Sequence, residues 1–433
     1  MVNTILGIIF VMSYILMIVL LIRGGNPTII LIGTGILWAV LGGLGVNGVV
    51  NDLIGAQISN NGAALMTILF GAWFAQVLLK TGIVPTIIRT AVELGGDSPK
   101  LVVVLIMVVV SFLFTSLFSI GPVIAVGVIV LPVMISIGVK PVIATVAYVI
   151  SIGIGSLVNV SQYQVLRGLV PFCDVPEEFG SPWTPYAFIA FGIGLLVNIV
   201  GVLVAMHLTN SKKKVKSWAV KEDGFDGEEA KFAPAYACIA PFIPVLLVIL
   251  FKVNIFVAFI IGAIYAIGTT KIMHRKIRVF PMISKTFQCG FSEASGMVMY
   301  MICTYVLAAG ARAATPIIQE SFGRFFPQTT LGLCLLIALG VPLLLYRGPL
   351  AIGGAGAAFF ATIAAVGAIP SSFIWMMAYT VSGIHYALDP TASCNVWSCS
   401  YTKVKPTTFI KMVLPINWIF GICIIATLYF MHG

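Results

Sequence analysis

Long apolar runs separated by short polar segments dominate the chain from Ile5 to Phe430. Each run is close to the roughly 20 residues that a helix needs to cross a bilayer. A membrane barrel would instead show segments of about ten residues with alternating polarity. The pattern therefore predicts a bundle of transmembrane helices. We keep the first run, residues 4–22, as a span because it lacks a basic leader and a small-residue cleavage site.

Composition and charge agree with a membrane protein. Of the 433 residues, 60% are hydrophobic and 9% are charged, and the mean hydropathy is +1.10, whereas soluble domains carry about 25% charged residues. The net charge of +10 does not indicate a nucleic-acid partner, because basic residues gather in short loops at 212–216 and 271–278. This is the positive-inside pattern. With both loops cytoplasmic, it predicts a multi-pass protein of the cytoplasmic (inner) membrane with its N-terminus outside.

The chain divides into two halves, residues 1–208 and 234–433, joined by a charged cytoplasmic linker at 209–233 that contains EDGFDGEE. The halves share landmarks in the same order: ELGGDSPKL and ESFGRFFPQ, then a Gly-Pro pair, then GVKP and GAIP. Counting crossings gives the halves opposite orientations. Secondary transporters are built from inverted repeats of this kind, with the site between the repeats. We therefore predict an all-α polytopic membrane protein with two inverted-topology repeats.

Each half contains an apolar block that a Gly-Pro pair divides, at about 101–139 and 329–369. We interpret each block as a re-entrant helical hairpin; two full spans joined by an apolar turn are the alternative. Non-helical backbone at membrane depth is tolerated only where it is buried in protein or lines a cavity, so a hairpin tip implies a site. The candidate substrate-binding residues at the two tips are Thr115, Ser116, Ser119, Gly121, Arg347 and Gly348.

Each hairpin is followed by an apolar segment with a polar cluster, at about 142–166 and 371–397. Pro390 removes a backbone donor, and Asp389 is placed to cap the following half-helix. Both segments are predicted to be broken helices, whose free carbonyls bind cations and whose half-helix N-termini face anions. Interhelical hydrogen bonding is the alternative role of such polar residues. The candidate binding residues here are Asn159, Ser161, Gln162, Thr391, Ser393 and Asn395.

Arg347 and Asp389 are charges within long apolar surroundings. Each costs about 2.5–3.5 kcal/mol at a helix centre on insertion scales, so each needs a partner. They either form one structural ion pair, or Arg347 binds a substrate carboxylate with its planar fork while Asp389 carries the coupling ion, H⁺ or Na⁺. His385 precedes Asp389 by four residues, on the same helix face, and is placed to share a proton.

The sequence argues against an enzyme. It contains no HExxH, P-loop, GxSxG or Rossmann motif, and we expect no cofactor. The eight cysteines are scattered, so no disulfide framework or zinc spacing emerges. Cys394 and Cys399 are better explained as small packing residues than as metal ligands.

Three segments carry a family resemblance: FGAWFAQVLLKTGIVPTIIRTAVELGGD (70–97), FTSLFSIGPVIAVGVIVLP (114–132) and ALDPTASCNVWSCSYTKV (387–404). They resemble the gluconate permease-like branch of the ion transporter superfamily, which also holds citrate–metal and C4-dicarboxylate carriers. The resemblance implies a carrier, usually dimeric, that has an elevator-like transport domain and moves organic anions with protons or sodium. By the same resemblance the contact residues are Thr115, Ser116, Ser119, Asn159, Ser161, Arg347, Asp389, Thr391, Ser393 and Asn395. The Ser-Asn-Thr hairpin signature of dicarboxylate/sodium carriers is missing, which puts sodium coupling and dicarboxylate choice in doubt.

We therefore predict an ion-coupled symporter, driven by H⁺ more than by Na⁺, whose substrate is a small carboxylate. Its expected partners are this substrate, the lipid bilayer and a second copy of the chain, with no nucleic acid. Two alternatives stay open: a cation/proton antiporter of the same superfamily, in which Asp389 and His385 exchange ions, and a passive anion channel.

Overall fold

The computed structural model describes residues 2–23, 25–96, 98–167, 183–209, 233–270, 279–314, 316–317, 320, 326–352 and 356–433. Within these ranges the secondary structure is helical and contains no strand. The acidic stretch of the linker and both basic loops lie outside the described residues.

The first half is a series of α-helices with one π-helix, Gly48–Gly55, before the third. Their bounds are α1 Val2–Ile22, α2 Pro27–Leu41, α3 Ala56–Asn60, α4 Gly62–Lys80, α5 Ile83–Gly95, α6 Pro99–Leu113, α7 Ile120–Ser136, α8 Pro141–Ser156, α9 Val160–Arg167 and α10 Trp183–Leu208.

The second half begins with a 3₁₀-helix, Ala235–Phe242, and has another, Val341–Arg347, between its fourth and fifth α-helices. The α-helices are α11 Ile243–Phe251, α12 Ile255–Thr269, α13 Val279–Ala313, α14 Thr330–Leu339, α15 Gly356–Val366, α16 Ser371–Leu388, α17 Ser393–Tyr401 and α18 Pro406–His432.

Four described helices, α4, α10, α13 and α18, are long and apolar enough to cross a membrane. The pair α8 and α9 is bent by 66° at a short break and passes the same test as one broken span. Several shorter helices are also apolar. Together with the composition, these helices make the chain a multi-pass membrane protein.

The two predicted hairpins are pairs of short helices. Helices α6 and α7 have 15 and 17 residues, and α14 and α15 have 10 and 11. At 1.5 Å per residue, the longest of them reaches only about 26 Å, which is less than the roughly 30 Å of a hydrocarbon core. The predicted fold class, an all-helical polytopic protein with hairpins and broken helices, is thus confirmed, while the opposite orientation of the halves stays a prediction.

The two broken helices pack against each other at the centre of the fold. A Cβ added to Gly153 of α8 would lie 3.2 Å from the carbonyl oxygen of Gly383 of α16, so the backbones come close. Near the end of α8, the Tyr379 hydroxyl of α16 donates to the carbonyl oxygen of Ser156 at 3.1 Å. These contacts hold the two breaks in one buried layer.

Helices α2 and α13 also approach through glycines. A Cβ at Gly35 would lie 2.9 Å from the backbone nitrogen of Leu307, and a Cβ at Gly310 would overlap the carbonyl oxygen of Gly35. Small residues permit such backbone approach between membrane helices. This contact positions α13 against the rest of the bundle.

Replacing Gly310 with leucine is expected to separate α2 from α13 and to destabilise the protein by about 1–3 kcal/mol, the usual cost of overpacking. Thermal unfolding of the purified protein in detergent measures the effect. Gly296→Leu on the same helix is the matched control, because a Cβ there meets nothing within 4 Å. Equal losses in the two variants would contradict the glycine contact.

Candidate functional site

The tip of the first hairpin, residues 114–119, has an unusual backbone. Ser119, the N-cap residue of α7, has a φ of 97°, which is uncommon for a residue other than glycine. Serine is a favoured N-cap residue, yet the Ser119 side chain makes no capping hydrogen bond. Its Oγ is buried and has no hydrogen-bond partner among the described residues. The backbone N–H groups in the first turn of α7 therefore receive no capping hydrogen bond from the Ser119 side chain.

Asn159 fixes the hairpin tip to the break between α8 and α9. Its buried Nδ2 donates to the carbonyl oxygens of Phe114 at 2.8 Å and Leu117 at 2.9 Å. Its Oδ1 accepts from the backbone N–H of Gln162 at 3.0 Å. One side chain thus satisfies backbone groups on both irregular segments.

A carboxylate lies directly against the first turn of α7. The side-chain amide of Gln76 in α4 donates to both oxygens of Glu293 in α13, at 2.9 Å each. A Cβ added to Gly121 would overlap the Glu293 carboxylate. Gly121 is thus needed at this position for the carboxylate to approach the N-terminus of α7.

Ser161, in the first turn of α9, is a second polar group beside the tip. It is 1% exposed, and its Oγ has no hydrogen-bond partner among the described residues. A Cβ on Gly71 of α4 would lie 2.8 Å from this Oγ and 3.7 Å from the Cβ of Phe118. The hydroxyl therefore lies beside the hairpin tip. Leaving a buried hydroxyl unpaired costs about 1–3 kcal/mol.

Three other candidates of the first half have partners inside the fold. The Thr115 hydroxyl donates to the carbonyl oxygen of Phe112 at 2.7 Å, and that of Ser116 donates to the carbonyl oxygen of Pro241. The Gln162 amide donates to the Ser382 hydroxyl of α16 at 2.8 Å. The Thr115 bond is thus local to the hairpin, the Ser116 bond ties the hairpin to the 3₁₀-helix Ala235–Phe242, and the Gln162 bond joins the two broken helices.

The break between α16 and α17 contains Asp389, which is 1% exposed. Its Oδ1 accepts from the backbone N–H of Thr391 at 2.9 Å and from the Thr391 hydroxyl at 2.8 Å. The Nε2 of His385 lies 3.4 Å from its Oδ2, as the four-residue spacing predicts. The expectation that Asp389 caps the following half-helix is corrected: Asp389 is the C-cap residue of α16, and the N-cap residue of α17 is Ala392. The Asp-Pro-Thr sequence closes a local turn instead.

Asn395 has a role at this break like that of Asn159 at the first. Its buried Nδ2 donates to the carbonyl oxygens of Tyr386 at 3.1 Å and Asp389 at 2.8 Å. Thr391 and Ser393, by contrast, are exposed. At the second broken helix, the Asn395 amide thus binds backbone carbonyls inside the protein, while two residues with hydroxyl groups are accessible from outside.

Arg347 is the last residue of the 3₁₀-helix Val341–Arg347. Its side chain lies outside the described part of the structure, so its pairing with Asp389 or a ligand stays a hypothesis. The next residue, Gly348, is buried, and a Cβ there would overlap the carbonyl oxygen of Leu343. Gly348 is thus required by the tight turn at the second hairpin.

The polar residues around the first hairpin and those around the second broken helix lie on neighbouring elements. A Cβ at Gly127 of α7 would overlap the indole ring of Trp397 in α17, so the first hairpin touches the second broken helix. The hydrogen bond from Gln162 to Ser382 joins the two broken helices. The polar residues of the two halves thus share one packed region.

Sequence reasoning missed Glu293 and Gln76, and the signal for Glu293 was present. Glu293 is an acidic residue within the long apolar run at residues 287–309, and an ionisable residue in such a run is a functional candidate. Gln76 had no comparable signal. Among the described residues, no group of three or more histidine, cysteine, aspartate or glutamate side chains is arranged to hold a metal ion.

Comparison with known proteins identifies the fold. No protein-family model matches the chain, and no curated protein matches its sequence. Its structure resembles the crystal structure of the YdaH transporter of Alcanivorax borkumensis, a transporter described as having an unusual topology. The two share 12% sequence identity with a TM-score of 0.57, over 98% of this chain and 97% of that one. The chain therefore has the all-helical fold of this transporter along nearly its whole length.

Proposed function

We propose that the protein is a secondary transporter that carries a small carboxylate across a membrane, coupled to an ion gradient, with H⁺ preferred over Na⁺. The position of the Glu293 carboxylate against the first turn of α7 carries this proposal, because it shows that the hairpin tip accommodates a carboxylate group. Helix N-termini attract anions through their free N–H groups and the helix dipole. The likeness to a transporter fold supports transport as the general activity.

In this proposal the substrate carboxylate binds beside Ser119, Gly121 and Ser161. Ser119 and Ser161 each supply a buried hydroxyl that has no partner among the described residues, and Gly121 permits close approach to the helix. Asn159 holds the hairpin tip in position through its two hydrogen bonds to backbone carbonyls. Arg347 is the proposed cation that pairs with the anion.

Asp389 is the proposed carrier of the coupling charge, with His385 as its proton partner. The carboxylate is buried, and His385 lies within 3.4 Å, so a proton or a cation bound here would alter a charge inside the protein. Thr391 lies in this break, and Ser393 and Asn395 lie in the first turn of α17. An elevator-like movement of the hairpins and broken helices, in a homodimer in the inner membrane, is part of the same proposal and follows from the family resemblance.

The same Asp389–His385 pair favours a second candidate, a cation/proton antiporter without an organic substrate. In that case Arg347 has a structural role. Proton movement triggered by added Na⁺ in the absence of any carboxylate distinguishes this activity from symport, and uptake independent of any gradient would indicate a passive channel.

The decisive experiment is uptake by reconstituted liposomes of labelled gluconate, lactate, citrate or succinate under an imposed proton or sodium gradient. For Arg347→Gln we expect uptake of the accepted acid to fall by about tenfold or more, because a charge-assisted hydrogen bond contributes about 1.5–3 kcal/mol. Arg89→Gln is the matched control, since Arg89 is exposed and pairs with Glu93 on α5. Size-exclusion profiles verify folding.

Gradient-driven uptake of one acid that is lost in a folded Arg347→Gln variant would support the symporter and identify its substrate. Absence of uptake for every acid, together with cation-triggered proton movement that survives the substitution, would favour the antiporter.

A further inference from the structure

Glu293 has no part in the roles assigned so far, although it is half-buried and lies within a candidate span. Its carboxylate occupies the position that the proposed function gives to the substrate. The amide of Gln76, which is 8% exposed, donates to both of its oxygens. This arrangement holds the ionised carboxylate in one orientation, against Gly121.

Two carboxylates cannot share this position while both are ionised. They would compete for the same first turn of α7, and like charges at close range in a medium of low dielectric repel strongly. A proton on Glu293 removes its charge and weakens its attraction to the helix N-terminus. The unpartnered Ser161 hydroxyl beside the tip remains available to a second acceptor or donor.

The groups that interact directly with the negative charge of Glu293 are the Gln76 amide and the N-terminus of α7. Helices α2, α3, α7 and α15 pack against α13 and carry no titratable side chain. The titratable residues of the other elements are Lys80 on α4, Asp52 on the π-helix, and, besides Glu293, Lys285, Cys289, Tyr300, Cys303, Tyr305 and Arg312 on α13 itself. The four charged residues of this set are exposed. Among the described residues, the hydrogen bonds of the carboxylate come from Gln76.

We propose that the Glu293 side chain competes with the substrate for the same binding position. When Glu293 is ionised, its carboxylate occupies the position at the N-terminus of α7. When Glu293 takes a proton from solvent, it leaves that position to the substrate carboxylate. The proton neutralises the side chain, and no bond to the substrate is formed. This inference rests on the proposed function and adds a pH control to its binding site. It predicts that substrate affinity falls as pH rises.

The test is equilibrium binding of the acid identified in the liposome assay to purified protein in nanodiscs, from acidic to alkaline pH. For Glu293→Gln we expect the pH dependence of affinity to weaken, leaving the part that the coupling proton at Asp389 contributes, and the affinity in alkaline buffer to exceed that of the wild type about 5- to 30-fold, the range that an anion at a helix N-terminus allows. Glu93→Gln is the matched control, because Glu93 is exposed on α5 and pairs with Arg89. It should keep the wild-type profile.

A second variant tests the same idea without removing the carboxylate. In Gln76→Ala the ionised form of Glu293 loses its two hydrogen bonds, so the midpoint of the pH profile should move to higher pH. A purely structural role of Gln76 would change the amount of folded protein but not this midpoint. Should Glu293→Gln fail to fold, the Gln76→Ala profile decides.

The outcomes separate the two levels of the proposal. If the wild type binds and accumulates a carboxylate and Glu293→Gln keeps the wild-type pH profile, the competitor role is overturned and the transport function stands. An unmoved midpoint in folded Gln76→Ala has the same meaning. If the wild type neither binds nor carries any carboxylate, the proposed function fails, and the competitor role fails with it.

Discussion

Replacing Asn159 with alanine is expected to lower the free energy of unfolding by about 2–6 kcal/mol, because two buried carbonyl groups each lose their side-chain donor at about 1–3 kcal/mol apiece. Those carbonyls belong to Phe114 and Leu117 at the hairpin tip. Since residues 114–119 have no regular helix to satisfy them, no other donor is positioned to replace the amide. The hairpin tip should lose its fixed position and the protein its transport activity.

Thermal unfolding in detergent and uptake in liposomes measure the two effects. Asn198→Ala is the matched control: this asparagine is also buried, but its Nδ2 donates to the carbonyl oxygen of Gly194 in its own helix, which the helix backbone already satisfies. A loss of stability in Asn198→Ala as large as that in Asn159→Ala would show that the hairpin contact has no special value.

Replacing Asp389 with asparagine is expected to abolish gradient-driven accumulation, with a decrease of at least about tenfold, equivalent to 1.4 kcal/mol of coupling. The reason is the loss of the buried charge that the proposed coupling ion neutralises. The fold should persist, because an asparagine Oδ1 still accepts from the backbone N–H of Thr391. The substitution therefore separates the charge of Asp389 from its role in the turn.

The measurement is accumulation under an imposed gradient compared with exchange when no gradient is present. Asp52→Asn, a change of the same kind at an exposed position, provides the control. If accumulation survives in folded Asp389→Asn, Asp389 has only a structural role in the turn. The coupling ion must then bind at another residue.

Much of the architecture follows from local features of the chain. The apolar run at residues 184–208 forms α10, Trp183–Leu208, and the apolar run at residues 62–79 forms α4, Gly62–Lys80, because length and apolarity determine where a helix can cross a bilayer. The break after Ser156 lies where glycines and Asn159 interrupt the apolar pattern. Such signals involve neighbouring residues, so they can be read without the fold.

The candidate site is less predictable because it depends on contacts between distant segments. Glu293 and Gly121 meet only through the packing of α13 against α7, and no pattern near either residue indicates the other. Asn159 and Gln162 were expected to contact a ligand; that contact stays a prediction, and the partners that the structure gives their side chains are carbonyl and hydroxyl groups of other segments. Asp389 was expected to act at a helix start, and the turn formed with Thr391 places it at a helix end.

The length of α13 ties this site to the bilayer. With 35 residues it is about 52 Å long, well beyond the roughly 30 Å of a hydrocarbon core. A helix with such hydrophobic mismatch must tilt or extend past the lipid headgroups. Because α13 is attached to α2 through Gly35 and Gly310, its tilt cannot change alone. A change in membrane thickness is therefore expected to shift the position of Glu293, along the membrane normal, relative to the first hairpin.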